Sequence, residues 1–514
     1  MKFYHVDFEP VGRRGKCRHD ESLLDCARRL GVGIISLCGG LGKFHCCKVQ
    51  ILKGSLSEPT SNELESFSPQ ELKDGYRLAC QTYINSDCKV RIPLESLTTP
   101  QRIQVEGLEV SVNLKPSISP YHIQVSSSSL SDLRADEERI IEMLNQQYKL
   151  HCRSIDIDVL RNISELLRSW NWEAQVSLRG NEVIAISPWP THQLGLAIDL
   201  GTTKIAGYLL DLSSGQTLAA EGIMNPQISY GEDIVSRIAY AIDSSAKAIK
   251  LQEVVVEALN QLVTNLCSRV NAKSEEIVEA VIVGNTAMHH LLLRLPVRQL
   301  AFSPFVPAVR RALDVKARDI GLSIAPGAYV HLLPNIAGFV GADHVAMLLA
   351  TEGIWKDESL VIAMDIGTNT EVSLIDNGEI SSVSCASGPA FEGAHIKDGM
   401  RAANGAIERL QLINDQVKYE TIGGVPPVGL CGSGILDAIA QLYLAGVINR
   451  NGRISNHARV RIHEGQPEFV LVSEEERSGS PAITITQKDV REIQLAQGAI
   501  RSGINVLLQE RSYS

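Results

Sequence analysis

Positive charge is in short supply. The 514 residues carry 49 Lys and Arg against 59 Asp and Glu, a formal net charge of −10. That balance argues against a general nucleic-acid binder, because phosphate backbones are held by excess Lys and Arg. Long apolar runs are also missing: no stretch approaches the roughly 18 consecutive apolar residues of a membrane-spanning helix. The first ten residues, MKFYHVDFEP, lack the basic start and apolar stretch of a secretory signal, so a cytoplasmic protein with neither membrane nor nucleic-acid partner is expected. Aromatic residues make up only 5%. Cysteine is sparse over most of the chain, since only four of eleven lie beyond residue 90. In a reducing compartment such residues are read as ligands, core or redox groups rather than structural disulfides. The length suffices for three or four domains.

Against these absences one motif occurs twice. Residues 196–210 read LAIDLGTTKIAGYLL and residues 361–375 read VIAMDIGTNTEVSLI. Each copy opens with an apolar run suited to a buried strand and ends it on an acid, Asp199 or Asp365. A glycine follows, Gly201 or Gly367, where the chain must bend and a ligand can approach the backbone. Thr202, Thr203 and Lys204 in one copy, and Thr368 and Asn369 in the other, offer groups that hold phosphate oxygens. The acids are suited to Mg²⁺, through water, or to orienting a nucleophile. Facing each other, two such turns would clamp a nucleoside triphosphate. The duplication resembles the phosphate-binding turns of the actin, Hsp70 and sugar-kinase superfamily.

The first 90 residues hold Cys17, Cys26, Cys38, Cys46, Cys47, Cys80 and Cys88, and read as a small separate domain. KFYHVDF alternates as a strand does, SLLDCARRLGV is periodic as a helix, and KVQILKG and KVRIPL are further strands. CGGLGKFHCCKV is a Gly-rich loop with thiols at both ends, and Cys80 follows in RLACQTY. This resembles a β-grasp ferredoxin domain with a [2Fe–2S] cluster. The spacing departs from the pattern, because Phe44 stands where one register wants a thiol and Lys43 where the other does. Four readings stay open. Cys38, Cys46, Cys47 and Cys80 ligate through a rearranged loop; His45 replaces one thiolate; Cys88 moves in; or the cluster is absent. Cys17 and Cys26 are expected to pack.

Residues 95–113 read as a linker and 114–190 as a small α+β domain with a helix capped by Ser131, a second helix, and a hairpin turning at Gly180-Asn181. From residue 191 to 514 strands and helices alternate as in a two-lobed ATPase domain. AVIVGNTAMHHLLL is a strand, a turn with Asn285 and Thr286, and a helix. His289 and His290 are neighbours on that helix, so they are expected to point to different sides, with no metal between them. NIAGFVGAD opens a helix on Asp343, which either orients a catalytic water or meets the helix dipole. Gly432-Ser433-Gly434 opens another helix, suited to a nucleotide.

The order of these pieces, with GPAFEGAHIKDGMRAANGAI and TQKDVREIQLAQGAI, resembles the reductive activators of corrinoid proteins over nearly the whole chain. That resemblance implies an α/β multidomain protein: residues 1–94 ferredoxin-like with a [2Fe–2S] cluster, the linker, the middle domain, and an actin/Hsp70-like ATPase domain. It implies ATP and Mg²⁺ as cofactors, with Asp199, Asp365 and Asp343 as catalytic acids. It also implies an upstream electron donor and a corrinoid methyltransferase or corrinoid iron–sulfur protein as partners, and it leaves a homodimer open. Inactive Co(II) would return to Co(I) at the expense of ATP. Only 14 residues follow Ile500, fewer than the family has after that helix, so an incomplete nucleotide site is one expectation. A binding module without redox activity and a small-molecule kinase are the alternatives.

Overall fold

The computed structural model describes residues 2–9, 11–30, 32, 34, 47–93, 96, 113–231, 233–393, 395–477 and 479–513. Cys38, Lys43, Phe44, His45 and Cys46 lie outside the described residues, as does most of the expected linker. The chain forms two compact units, one of residues 1–102 with 359–514 and one of residues 103–358.

The ferredoxin-like region opens the first unit. Its strands are β1 (Phe3–Glu9), β2 (Arg13–Arg18), β3 (Lys48–Lys53), β4 (Tyr76–Leu78) and β5 (Cys88–Arg91), with helices α1 (Leu23–Arg29), α2 (Ser61–Ser66) and α3 (Pro69–Lys73). They form one sheet in the order β2-β1-β5-β3-β4, with β1 and β5 parallel, as the β-grasp expectation requires. Capping boxes at Thr60 and Ser68 start α2 and α3.

The second unit holds two sheets. β6 (Ile118–Gln124), β7 (Ser154–Ile155), β8 (Glu173–Arg179) and β9 (Glu182–Ser187) pair in the order β6-β8-β9-β7, with α4 (Asp136–Gln147) and α5 (Ile157–Ser169) packed on them. The hairpin at Gly180-Asn181 forms as expected. Ser131 does not cap α4. The helix starts five residues later, after Ala135, because Arg134 and Arg139 hold Asp132 in the preceding loop and Glu138 returns to the Ala135 amide.

The other sheet runs β12-β11-β10-β13-β15-β14. Its strands are β10 (Leu194–Leu200), β11 (Lys204–Asp211), β12 (Thr217–Met224), β13 (Ile277–Val283), β14 (Leu313–Lys316) and β15 (Tyr329–Leu332). β10, β13 and β15 are parallel. β10 and β13 are rich in Val, Ile, Leu and Ala, as covered parallel strands tend to be, while β15 (YVHL) alternates. The unit's helices are α6 (Ile234–Asp243), α7 (Ser245–Val270), α8 (Thr286–Leu292), α9 (Ala317–Ile320), α10 (Ala342–Ala350) and α11 (Glu352–Trp355). The long α7 buries Val255, Leu259, Leu262 and Leu266 in the largest apolar core, a spacing that keeps one helical face inward.

The remainder of the first unit repeats the motif. β16 (Leu360–Ile366), β17 (Thr370–Asp376) and β18 (Glu379–Cys385) form a three-stranded meander. β19 (Ala406–Ile413), β20 (Gln416–Thr421) and β21 (Gly429–Leu430) form a second small sheet, and β22 (Val460–His463), β23 (Gln466–Val472) and β24 (Ile483–Thr486) a third. Helices α12 (Gly432–Leu444) and α13 (Gln487–Glu510) complete it.

Met400, Ala403, Ala406, Ile422 and Cys431 belong to the same apolar core as Phe8, Leu24, Val49, Cys47 and Cys80. The ferredoxin-like region shares its interior with the lobe that carries the second turn. Residues 114–190 and 191–358 lie together in the other unit.

Candidate functional site

In the second unit the first turn sits at the carboxyl ends of parallel strands, where α/β sheets present ligand sites. Asp199, solvent-exposed, stands in register with Val283 of β13. Gly201 is needed because a Cβ there would lie 2.6 Å from the Lys204 carbonyl oxygen. Asn225 Nδ2 donates to the Gly201 carbonyl at 2.8 Å and Arg237 Nη2 to the Thr202 carbonyl at 2.5 Å. Thr203 is buried. Asn285 caps α8 and donates through Nδ2 to Thr202 Oγ1 at 2.9 Å. Gly341, just before α10, packs so closely that a Cβ would meet Asn285 Cα at 2.3 Å. Thus Thr202, Asn285 and the first turn of α10 with Asp343 converge. Asp343 Oδ1 accepts the His344 amide at 2.8 Å, an N-terminal acid on its own helix. Burial and the charge of Asp199 raise the pKa of Tyr208 on the next strand.

His289 and His290 do not diverge as expected. All seven residues of α8 are buried, and the two Nδ1 atoms lie 3.3 Å apart. His290 Nδ1 faces the Thr286 carbonyl at 2.7 Å and its Nε2 accepts the Ala308 amide at 3.0 Å. Both rings serve as packed, neutral groups, and burial lowers both pKa values.

In the first unit the second turn is built differently. The Gly367 amide donates to the Asn369 carbonyl at 3.0 Å, and Thr368 Oγ1 donates to Glu392 Oε2 at 2.8 Å. Ser387 Oγ lies 2.9 Å from Thr370 Oγ1, tying the turn to the following segment. Asp365 is half-buried. Gly432 and Gly434 open α12 at two places where only glycine fits. A Cβ would lie 1.8 Å from the Phe391 carbonyl oxygen at Gly432, and 2.0 Å from that of Ile407 at Gly434. Ser433, Asp437 and Gln441 form one stripe of α12 along a cavity of about 670 Å³ against β19 and β20. Small residues at a helix start, with Ser433 reaching an open volume beside it, are the kind of setting a phosphate-bearing ligand requires.

The sulfurs of Cys47 and Cys80 lie 3.4 Å apart and are both buried. Two thiolates on one tetrahedral metal at about 2.3 Å stand roughly 3.8 Å apart, so this pair fits two ligands of one iron. The other two expected ligands, Cys38 and Cys46, lie outside the described residues. Cys88 is no partner for them: it starts β5, its Sγ faces the Ser86 carbonyl at 3.3 Å, and burial pushes its pKa up to about 11. Cys17, Glu21 and Cys26 also meet, their ligand atoms all within 4.8 Å of one another. Arg29, however, occupies both Glu21 oxygens at 2.8 Å. A hydrogen bond with Cys17, reinforced by burial, raises the Cys26 pKa. These remain packed thiols.

Comparison with known proteins follows the same division. The 2Fe-2S iron-sulfur cluster binding domain family matches residues 6–85, the RACo linker region 107–193, the RACo middle region 194–353, and the C-terminal domain of RACo, the ASKHA domain, 359–514. The corrinoid activation enzyme RamQ of Eubacterium limosum is 31% identical over 503 residues, which cover 95% of this chain and 80% of RamQ. The chain belongs to the reductive activators of corrinoid proteins. A solved reductive activator for a corrinoid, iron–sulfur protein superposes with a TM-score of 0.69 at 32% identity, covering 99% of this chain and 84% of that one. The [Co(II) methylated amine-specific corrinoid protein] reductase of Methanosarcina barkeri is 26% identical, over 62% of this chain and 59% of its own.

Within this activator the fold is as expected: a ferredoxin-like N-terminal domain and a C-terminal ASKHA domain of mixed α/β sheets. The stretch expected as a middle domain, 114–190, falls in the region that the family calls its linker. Among the described residues no helix is long and apolar enough to cross a membrane. Sequence reasoning missed Asn225, Arg237, Ser387 and Glu392. Only Glu392 carried a signal, as an acid in the Gly-dense GPAFEG stretch. Arg237 is 0% exposed yet lies on a helix that reads as ordinary amphipathic sequence.

Proposed function

We propose that this chain is an ATP-dependent activator that passes one electron from a [2Fe–2S] cluster to a corrinoid protein, returning Co(II) to Co(I). The observation that carries this reading is the buried Cys47–Cys80 pair, 3.4 Å apart, in one compact unit with the Gly367-Thr368-Asn369 turn. The cluster, when bound, supplies a one-electron carrier. Cys47 and Cys80 hold it, with Cys38 and Cys46 as the remaining ligands. The corrinoid iron–sulfur and methylamine-specific corrinoid proteins served by its relatives indicate the class of partner. The electron arrives from an upstream donor, and the protein works in the cytoplasm.

In the second unit Thr202, Thr203 and Lys204 are phosphate-binding groups, and in the first unit Gly367, Thr368 and Asn369 are. The N-terminus of α12, with Gly432, Ser433 and Gly434, faces the nucleoside. Asp199 and Asp365 hold Mg²⁺ through water, and Asp343 orients the attacking water. A one-electron transfer shifts tenfold in equilibrium per about 59 mV. ATP can drive it only if the protein grips its partner differently in its nucleotide states. In domain terms, residues 1–94 carry the electron, 95–113 link, 114–190 form a spacer, and 191–514 handle ATP.

The test starts from anaerobically purified protein. Iron and acid-labile sulfide near two per chain, and ATP-dependent loss of the Co(II) absorbance of an added corrinoid protein, support the reading. Asp199→Ala and Asp365→Ala should each remove ATP turnover while iron content holds. Reduction of cobalt at an equal rate without ATP would overturn it.

A further inference from the structure

Residues 391–401 touch three things at once. At one end Glu392 accepts the Thr368 hydroxyl of the second turn at 2.8 Å. Beside it the Phe391 carbonyl presses on Gly432, where a Cβ would lie 1.8 Å away. Further along, the Met400 amide donates to the Leu430 carbonyl at 2.8 Å and the Leu430 amide to the Asp398 carbonyl at 2.9 Å, so the segment runs alongside the chain entering α12. At its far end the segment grips the ferredoxin-like region. The Arg401 amide donates to the Val11 carbonyl at 3.2 Å, and its guanidinium pairs with Glu9. Asp398 Oδ1 accepts from Arg13 Nη2 at 3.3 Å, while its Oδ2 takes the Thr484 amide at 2.9 Å. Glu9, Arg13 and Asp398 are all buried.

The segment has little room to give. A Cβ on Gly399 would lie 2.0 Å from the Gly393 carbonyl oxygen, so the loop closes on itself backbone to backbone. Met400 and Cys431 then enter the core that also holds Cys47 and Cys80. Close-packed interiors of this kind move between discrete arrangements rather than deforming smoothly.

We propose that residues 391–401 are a relay that couples the nucleotide turn to the iron–sulfur domain, with the Glu9–Arg401 and Arg13–Asp398 pairs as its grip. The relay rests on the activator reading, because it presumes both ATP and a cluster. These four side chains are positioning residues, acting through the segment they hold. Coupling between two sites is reciprocal, so the redox state of the cluster changes nucleotide affinity through the same contacts.

The experiment uses the full-length anaerobic protein with its cluster. Binding of the β,γ-imido analogue of ATP is measured by titration calorimetry with the cluster oxidised and again after dithionite. The expected ratio of the two dissociation constants is about fivefold or more in the native protein. In Glu9→Leu/Arg401→Met, which replaces both charges together because a lone buried charge is costly, the ratio falls to one. Iron content and the affinity of the oxidised form stay as they were. Lys16→Ala, which removes a surface pair with Glu464 in the same unit, leaves the ratio at its native value. Should the double variant fail to fold, Arg401→Lys is expected to lower the ratio. A native ratio of one, or a native ratio retained in the double variant, overturns the relay while leaving the activator reading intact. Protein that binds neither iron nor the analogue refutes both.

Discussion

Glu63 is the residue on which the Cys80 turn depends. It lies on α2, is 0% exposed, and accepts Arg77 Nε at 2.8 Å, Arg77 Nη2 at 3.0 Å, the Leu78 amide at 2.9 Å and Thr82 Oγ1 at 3.2 Å. These donors bracket Cys80. Glu63→Ala strands the Arg77 guanidinium, itself only 5% exposed, with the Ser57 and Glu58 carbonyls. Breaking one side of a buried pair costs about 3–5 kcal/mol. At a factor of ten per roughly 1.4 kcal/mol, local opening of the turn should become about 100- to 4000-fold more frequent. Hydrogen exchange of the peptide spanning Tyr76–Tyr83, read by mass spectrometry, measures this directly. The effect has a pH signature. Burial opposes ionisation of Glu63, but Arg77 and the backbone donors outweigh it and hold the pKa below its ordinary 4.5. Its contribution is therefore complete above pH 4.5 and is lost as pH falls through the lower, folded value. Protection within tenfold of the native protein in Glu63→Ala would refute the argument.

His289 should give the second unit an acid limb of its own. Burial, then the charge of His290, lowers its pKa to about 4 from 6.5. The unfolded chain takes up the proton first, so stability is level above pH 6.5 and declines by up to roughly 3 kcal/mol as pH falls towards 4; His289→Phe should flatten that limb in melting curves against pH. Gly434→Ala drives a methyl into the Ile407 carbonyl and should cost about 1–3 kcal/mol together with nucleotide affinity, whereas Gly498→Ala, on α13 with nothing within 4 Å, should raise the melting temperature. On β16, Leu360, Ile362, Met364 and Ile366 are 40–51% exposed on one face of an edge strand. Ile362→Lys should reduce self-association in light scattering without unfolding the protein.

Local chemistry was legible in the sequence; long-range packing was not. DLGTT and DIGTN announce their hairpins because an acid, a glycine and a hydroxyl within five residues fix a turn by themselves. The strands of the N-terminal sheet follow from alternation, whereas their β-grasp order came only from the resemblance, and Cys17 and Cys26 pack as expected. Arg13 and Asp398, 385 residues apart, pair in the interior, and no periodicity marks either as a partner. The Gly-dense stretch around residue 393 was visible as composition, but its purpose, backbone closure against α12 and the N-terminal region, is a tertiary fact. Ser131 misled because Ser before an acidic run is a common cap, while here Arg139, three residues into α4, recruits Asp132 and keeps the loop open. His289 and His290 misled because adjacent positions on a helix separate the Cβ atoms, while the rings are long enough to turn back, and His290 does so by meeting the Thr286 carbonyl.

The two copies of the motif are alike in topology and unlike in surroundings. β10-β11-β12 and β16-β17-β18 are both meanders, and a long helix crosses the outer two strands of each, α7 in one and α13 in the other. Beyond that the contexts part. β10 continues into the parallel strands β13 and β15, which bring Asn285 and the start of α10 to the Thr202 turn. The Thr368 turn instead leans on Glu392, a side chain of the segment that reaches the ferredoxin-like core, and on Ser387 just before it. A shift at the first turn is absorbed by a sheet of six strands. A shift at the second has a ready path to Arg401 and Glu9, because the groups that hold it are themselves part of the junction. The asymmetry therefore predicts which turn matters for coupling. Thr368→Val, which removes the hydroxyl and keeps the shape, should weaken the redox dependence of nucleotide binding. Thr202→Val should lower affinity equally in both redox states.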